Sequence, residues 1–365
     1  TQEVVLTGCW STQNPEIASS MPGVSQVIPN AEKDHLVPQV LNIPEEEFNL
    51  EPLSRELIPG ARLRTRAFIK VQDGCDNRCS FCITTLARGR GRSRPVADIL
   101  ANINEVVNDS SSNPSSAKEV VLTGVHLGSW GSDFSNPLHL SDLVKTILRD
   151  TDVPRLRLSS LEPWDLDEDF FSLWDDTRLC RHLHLPLQSG SADVLRRMAR
   201  KTTPGAFASL VEAARAACPE IAITTDLIAG FPGETEQEFL ETMDFVRKVS
   251  FAGGHVFTYS PRPGTAAESM PDQVPFPLRK ERNAMVREVL FESEQAYQNH
   301  FINHTLPVLW ESVTSLDSDI WHLRGLTDNY LRVSTQAPHQ LWNQITPVLL
   351  TRIKDRGFEG VIPPI

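Results

Sequence analysis

The sequence is short of basic charge: 35 lysines and arginines stand against 47 aspartates and glutamates, a net charge of −12. A surface that acidic does not hold nucleic acid indiscriminately, although a local basic site remains compatible with it. No stretch approaches 18 uninterrupted apolar residues, so no membrane span is expected. The first residues, TQEVVLTGCW, lack the basic region, apolar stretch and small-residue cleavage site of a secretory signal. They open directly into a strand-like apolar run, as a segment cut from something longer would. Cysteine is scarce, six in 365 residues, too few and too unevenly spaced for a disulfide scaffold. A cytoplasmic location is therefore the expectation. What is present is ordinary for a globular protein, with 40% hydrophobic and 22% charged residues. The length suffices for one large domain and one or two small ones.

Three segments follow from the patterning. Residues 1–43 hold a strand at 4–7, a helix-like stretch and a second apolar patch at 24–28. Residues 44–64 read as a linker, acidic and then Pro-containing and basic. From Arg66 a short apolar run, a polar or Gly-rich loop and an amphipathic helix alternate repeatedly. The strand candidates lie at 67–71, 119–123, 155–159, 182–187, 221–228 and 255–259. Helical patterns fall between them at 96–107, 140–149, 207–217 and 236–249. Each return to a parallel strand needs a crossover helix, so six such units predict an open, partial barrel rather than the complete eightfold one. The Ser/Asn-rich stretch at 109–117 reads as a surface loop. A long helix over 278–300 and short alternating runs at 307–313, 331–335 and 348–353 predict a small antiparallel β domain at the end.

Three of the six cysteines crowd into Gly74-Cys75-Asp76-Asn77-Arg78-Cys79-Ser80-Phe81-Cys82, directly after the first of these strands. Parallel barrels place their sites at that end of the strands. A zinc site wants four protein ligands, and no nearby fourth cysteine or histidine completes this one, so the plain alternatives are a zinc knuckle with a distant ligand or three incidental cysteines. Three thiolates from one tight loop can instead hold three corners of a 4Fe–4S cluster, with one iron open to a small chelator.

The triplet and the following Thr84-Thr85-Leu86-Ala87-Arg88-Gly89-Arg90-Gly91-Arg92-Ser93-Arg94 resemble the first βα loop of the radical S-adenosylmethionine (SAM) methylthiotransferases. Later motifs agree in order. They are Leu122-Thr123-Gly124-Val125-His126-Leu127-Gly128, Ser159-Ser160-Leu161-Glu162-Pro163, His184-Leu185-Pro186-Leu187-Gln188-Ser189-Gly190, Thr225-Asp226-Leu227-Ile228-Ala229-Gly230-Phe231-Pro232-Gly233-Glu234-Thr235 and Phe257-Thr258-Tyr259-Ser260-Pro261-Arg262-Pro263-Gly264-Thr265. The tail is similar to a TRAM domain, a small RNA-binding β-barrel. The Leu122–Gly128 and Ser159–Pro163 motifs, with Leu326-Thr327-Asp328-Asn329-Tyr330-Leu331, look most like the branch acting on N6-threonylcarbamoyladenosine. The isopentenyladenosine branch, and a non-catalytic iron–sulfur RNA-binding protein, are the alternatives.

The resemblance implies an α/β chain in three parts: the end of an auxiliary-cluster domain with its linker (1–58), a partial (β/α)6 radical SAM core (59–302) and a TRAM-like domain (303–365). It implies a 4Fe–4S cluster on Cys75, Cys79 and Cys82 that cleaves SAM reductively to a 5′-deoxyadenosyl radical. That radical would abstract hydrogen from C2 of the modified adenine beside the anticodon of tRNA, for insertion of a methylthio group. SAM is expected at Thr123, Gly124, Glu162, Gln188 and Ser189. Cys9 matches the third ligand of a second, auxiliary 4Fe–4S cluster, whose first two ligands would lie upstream of Thr1. An electron donor and a sulfur donor are implied as partners. Arg88, Arg90, Arg92 and Arg94 are candidates for phosphate contact, since guanidinium groups present paired planar donors. Trp321, Tyr330 and Trp342 are candidates for base stacking or for core. Cys180 and Cys218 read as buried structural thiols, and His182, His184 and His255 as packing or hydrogen-bonding residues.

Overall fold

A computed structural model describes residues 3–44, 65–107, 116–317 and 320–363. The linker expected after Pro44, the boundary at 58/59 and nearly all of the Ser/Asn-rich loop lie outside the described residues. In the first segment β1 (Val4–Thr7) leads into α1 (Cys9–Gln13) and α2 (Pro15–Ser20), and β2 (Val24–Ile28) returns to pair parallel with β1. A short α3 (Leu36–Leu41) ends on Asn42 in the left-handed region.

The next part consists of β3 (Arg66–Lys70), the two-residue strands β4 (Gln72–Asp73) and β5 (Arg92–Ser93) flanking α4 (Thr84–Arg88), then α5 (Val96–Val107). After it come β6 (Glu119–Thr123), α6 (Leu140–Asp150), β7 (Leu156–Leu158), β8 (His182–His184), α7 (Ala192–Arg197), α8 (Pro204–Ala217), β9 (Ala222–Ala229), α9 (Glu236–Val249) and β10 (Gly253–Thr258). Strands β3, β6 and β7 pair in parallel, as do β8, β9 and β10. The parallel bridge Ser160↔His184 joins the two sets into one arc of six strands in chain order. The third and fourth strands are shorter than their apolar runs, because the chain turns into loops that carry polar groups of the site.

Alternation decides which face does what. Ala67, Ile69, Val120, Leu122, Leu156, Leu158, Leu183, Ile223 and Leu227 belong to the buried core shared with Ile99, Ile103, Leu143, Ile147, Phe207, Phe239 and Met243 of the helices. The intervening positions, Glu119, Arg157, His182, His184, Thr224 and Asp226, form a polar lumen linked by hydrogen bonds and ion pairs. Local signals agree with the global pattern. Thr235 accepts from the amide of Glu238, and Glu238 reaches back to the amide of Thr235, a reciprocal cap that starts α9. The same Glu238 carboxylate takes both arms of Arg197, 2.9 Å each, and so ties α9 to α7.

The long α10 (Phe276–His300) crosses to the C-terminal part, a closed barrel in the order β11-β12-β13-β15-β14. Its strands are β11 (Thr305–Asp317), β12 (Ile320–Thr327), β13 (Arg332–Ala337), β14 (Ile345–Lys354) and β15 (Gly357–Val361). It is not wholly antiparallel as expected: β13 and β15 pair in parallel, and that pair closes the barrel. Strands β12 and β15 escaped the sequence reading. In β12 the alternation is broken at Gly325, where a Cβ would stand 2.3 Å from the carbonyl oxygen of Leu309.

The small barrel is clamped onto the floor of the large one. Arg155 donates to the carbonyls of Pro307 (2.7 Å) and Leu326 (3.2 Å). Arg157 pairs with Glu119 (2.6 Å) and donates to the carbonyls of Asp328 (3.0 Å) and Thr327 (3.2 Å). Arg181 takes the Asp328 carboxylate through two bonds of 2.6 and 3.0 Å. Tyr330, at φ 68°, stacks on His182 with ring centroids 4.5 Å apart and lies under the guanidinium of Arg157. One face of the Tyr330 ring is thereby spent on the clamp and withdrawn from RNA stacking.

Burial, followed by the charges of Arg157 and His184, holds His182 well below the usual imidazole range, so it is neutral in the folded protein. The unfolded chain binds a proton near pH 6.5 that the folded chain refuses. Stability at this position is therefore full above pH 6.5 and lost as the pH falls toward the folded value. Thermal melts between pH 7 and pH 5 should show a flatter pH dependence for His182→Gln than for the parent. Equal slopes would refute the assignment.

Candidate functional site

The cysteine loop leaves β4 through Gly74, at φ 74°, where a Cβ would sit 1.9 Å from the carbonyl oxygen of Arg90. Only glycine fits that approach. Beyond it the loop is held on several sides. Cys75 N–H donates to Gly89 O (3.1 Å), Ser80 N–H to Met198 O (3.0 Å), the Ser80 hydroxyl to Arg197 O (2.8 Å) and the Thr85 hydroxyl to Asn77 O (2.9 Å). The three thiols are half-buried and line one pocket of about 170 Å³, whose walls include Glu162, Gln188 and Arg200.

A single tetrahedral ion needs its ligand atoms roughly 3–4 Å apart. Among the described residues these three sulfurs do not converge so closely on a common point. A cubane takes each thiolate on a different iron, and the adjoining pocket leaves space for a chelator at the fourth. The residues present thus fit a 4Fe–4S cluster with a small bound ligand better than they fit zinc.

Arg200 was not singled out in the sequence, and it organises the pocket. Its guanidinium makes bonds of 3.0 and 2.6 Å to Glu162, donates to Pro186 O, stacks 4.5 Å from the Trp164 ring and lies 3.8 Å from Cys79 Sγ. Burial pushes the Cys79 thiol up, against the opposing pull of Arg200. His126 also lines the pocket and is 2.6 Å from Asp165 Oδ2. Burial alone would lower its pKa, but hydrogen bonding to Asp165 and Cys75 carries it up to about 9. Its amide is fixed by Gln72 Oε1 (2.9 Å), and the Gln72 amide group in turn donates to Gly74 O (2.9 Å).

The other expected positions separate. Glu162 and Gln188 face the pocket, the latter at φ 76°. The Thr123 hydroxyl turns to Ile69 O (3.3 Å). At Gly124 a Cβ would meet Leu127 Cα at 3.0 Å and the Gln72 side chain at 3.2 Å, so close packing accounts for this glycine. Ser189 is fully buried and bonded to the Thr242 hydroxyl of α9 (3.1 Å), on the helix side of the sheet. Cys9 opens α1, and the Asn30 amide donates both to Cys9 Sγ and to Ala87 O of α4, 3.1 Å each, which holds the first segment against the cysteine loop.

Cys180 is buried beside Glu119, and burial pushes its thiol up to about 12. Of the four loop arginines, Arg88 pairs with Asp73 (3.0 Å), Arg90 with Asp76 (3.3 Å) and Arg94 with Lys70 O and Asn102 (2.8 Å each). Arg92 stays exposed.

Residues 69–246 match the radical SAM superfamily. Over 99% of its length the chain is 36% identical to a threonylcarbamoyladenosine tRNA methylthiotransferase of Thermotoga maritima, covering 80% of that protein. A Bacillus subtilis protein of the same description is 32% identical over 96% of the chain, with 78% of its own length covered. A tRNA-2-methylthio-N(6)-dimethylallyladenosine synthase of Acetivibrio thermocellus is 34% identical over 81% of the chain and is covered to 60%.

Proposed function

The chain belongs to the radical SAM tRNA methylthiotransferases, and from that premise we propose that it adds a methylthio group to C2 of N6-threonylcarbamoyladenosine beside the anticodon of tRNA. The observation that carries the choice of substrate is coverage. Similarity to the threonylcarbamoyladenosine enzymes runs through the small C-terminal barrel over 96–99% of the chain, whereas the dimethylallyladenosine synthase matches 81%.

Cys75, Cys79 and Cys82 would hold a 4Fe–4S cluster, which would supply the electron for reductive cleavage of SAM. The protein's own part is placement. Arg200, its terminal N–H groups spent on Glu162, Pro186 O and Cys79 Sγ, holds the Glu162 carboxylate at the pocket wall, where that carboxylate is suited to the ammonium or ribose hydroxyls of SAM. Gln188 offers an amide across the same pocket. The His126–Asp165 pair fixes the wall next to Cys75. Cys9, one helix away from the loop, is our candidate ligand for the auxiliary cluster. The exposed Arg92 beside the site and the small barrel would meet the RNA, while electron and sulfur donors complete the reaction. No helix among the described residues is long and apolar enough to cross a membrane, and a tRNA substrate supports the cytoplasmic location we propose.

Expression of the full-length protein in a bacterium lacking its own tRNA methylthiotransferases tests this by mass spectrometry of tRNA nucleosides. The expected product is 2-methylthio-N6-threonylcarbamoyladenosine. The isopentenyl analogue alone would overturn the substrate assignment and leave the chemistry standing. Within the site, Arg200→Lys keeps the charge but loses the paired donors. It should raise the KM for SAM in 5′-deoxyadenosine formation by roughly tenfold or more, one lost charge-assisted bond being worth about 1.5–3 kcal/mol. An unchanged KM would mean that the Arg200–Glu162 pair does not position SAM.

A further inference from the structure

We propose that Glu220, His300 and His304 form a second metal site, for a borderline divalent cation of the zinc type, at the joint between the two barrels. Among the described residues this is the one group of three such side chains whose ligand atoms all lie within 4.8 Å of one another. The donors come from three pieces of chain. Glu220 stands in the turn between α8 and β9, His300 is the last residue of α10, and His304 directly precedes β11. The two imidazole rings lie 5.4 Å apart and are exposed, while Glu220 is half-buried.

The chemistry of the set is selective. Two imidazoles and a carboxylate suit zinc and its neighbours rather than magnesium or calcium, which prefer oxygen alone. Three protein ligands leave one position for water.

The electrostatics favour a cation. Arg181 pairs with Glu220 through one carboxylate oxygen and with Asp328 through two further donors, so the three side chains together carry one negative charge. The pairing involves Glu220 Oε2, and Oε1 is left to ligate. The C-terminus of the 25-residue α10 adds its partial negative charge at His300.

The position separates this site from the cysteine pocket. Glu220 precedes the eight-residue β9, and the cysteine loop lies beyond the opposite ends of the parallel strands. At about 3.3 Å per residue the two are some 25 Å apart along the barrel. A bound ion would pin the α8–β9 turn, the helix end and the first strand of the small barrel to one another, on the same side as the Arg181–Asp328 clamp.

The test uses the full chain with its iron–sulfur centre reconstituted, freed of loose metal by a chelator, and titrated with zinc chloride in a calorimeter. Cobalt chloride serves as the optical probe, since tetrahedral cobalt shows intense visible bands. We expect one equivalent of zinc below about 100 µM, and tetrahedral cobalt bands. His300→Ala and His304→Ala should each weaken binding by more than about a hundredfold, beyond the loss typical of outer-shell changes, with iron and sulfide content unchanged. Both histidines are exposed, so these variants fold, and unchanged iron content verifies it. Absence of binding in the parent, or binding of equal strength in both variants, overturns the proposal.

Discussion

Replacing Arg157 with alanine is expected to cost about 3–5 kcal/mol of stability, the range for stranding one member of a buried ion pair. Glu119, which Arg157 neutralises, is fully buried at the floor of the large barrel, with the Cys180 thiol as its other neighbour. Removing the guanidinium leaves that carboxylate without its counter-charge. It also leaves the carbonyls of Thr327 and Asp328 without their donor and takes the cation from the Tyr330 ring. The loss falls on the joint as well as on the core. Urea unfolding should show a lower midpoint, and limited proteolysis should cut between His300 and Thr305 earlier than in the parent. Replacing Glu119 and Arg157 together with glutamine and methionine should recover most of the stability, because it is the unpaired charge that is costly. A single-variant loss under about 1 kcal/mol, the value of an exposed pair, would mean that the clamp is not what holds the barrels together.

Cys79→Ala is expected to abolish SAM cleavage outright. Of the three thiols Cys79 is the one that touches Arg200, so its loss would remove one of the three proposed cluster ligands and the sulfur beside the guanidinium. Reconstituted protein should hold less iron and sulfide, and 5′-deoxyadenosine formation should fall to background. Two comparisons make the result specific. Cys180→Ala changes a buried thiol next to Glu119, away from the pocket, and should leave both readings unchanged. Cys9→Ala, in the full-length protein, should leave SAM cleavage intact and stop methylthiolation. Full SAM cleavage by Cys79→Ala would dismiss the three-cysteine centre, and full methylthiolation by Cys9→Ala would dismiss the auxiliary role.

The barrel and the cysteine loop were legible because their signals are local. Helices 96–107 and 236–249 are bounded as their periodicity predicts, and three cysteines within eight residues need no tertiary information. The rest of the site consists of pairs made across the fold. Arg200 meets Glu162 across 38 positions and His126 meets Asp165 across 39, and neither arginine nor aspartate sits in a motif of its own. Position within a motif misled in the other direction. Ser189 follows Gln188, yet the backbone turn between them sends one side chain into the pocket and the other toward α9. The arginine run looked basic, but Asp73 and Asp76, brought close by the loop, take two of its four charges. Tyr330 looked like an aromatic for bases, and only the docked barrel shows it lying on His182.

The clamp also bears on how the chain is made. Arg155 and Arg157 receive their partners from residues 171 positions later, at Leu326 and Asp328. At roughly 5–20 residues per second on the ribosome, the floor of the large barrel stays open for about 10–30 seconds after its arginines emerge. Throughout that interval a charged, water-filled lumen stands where the finished protein has a closed base. A chain ended at the long helix would keep that lumen permanently, so the core does not mature before residues 307–328 have been synthesised.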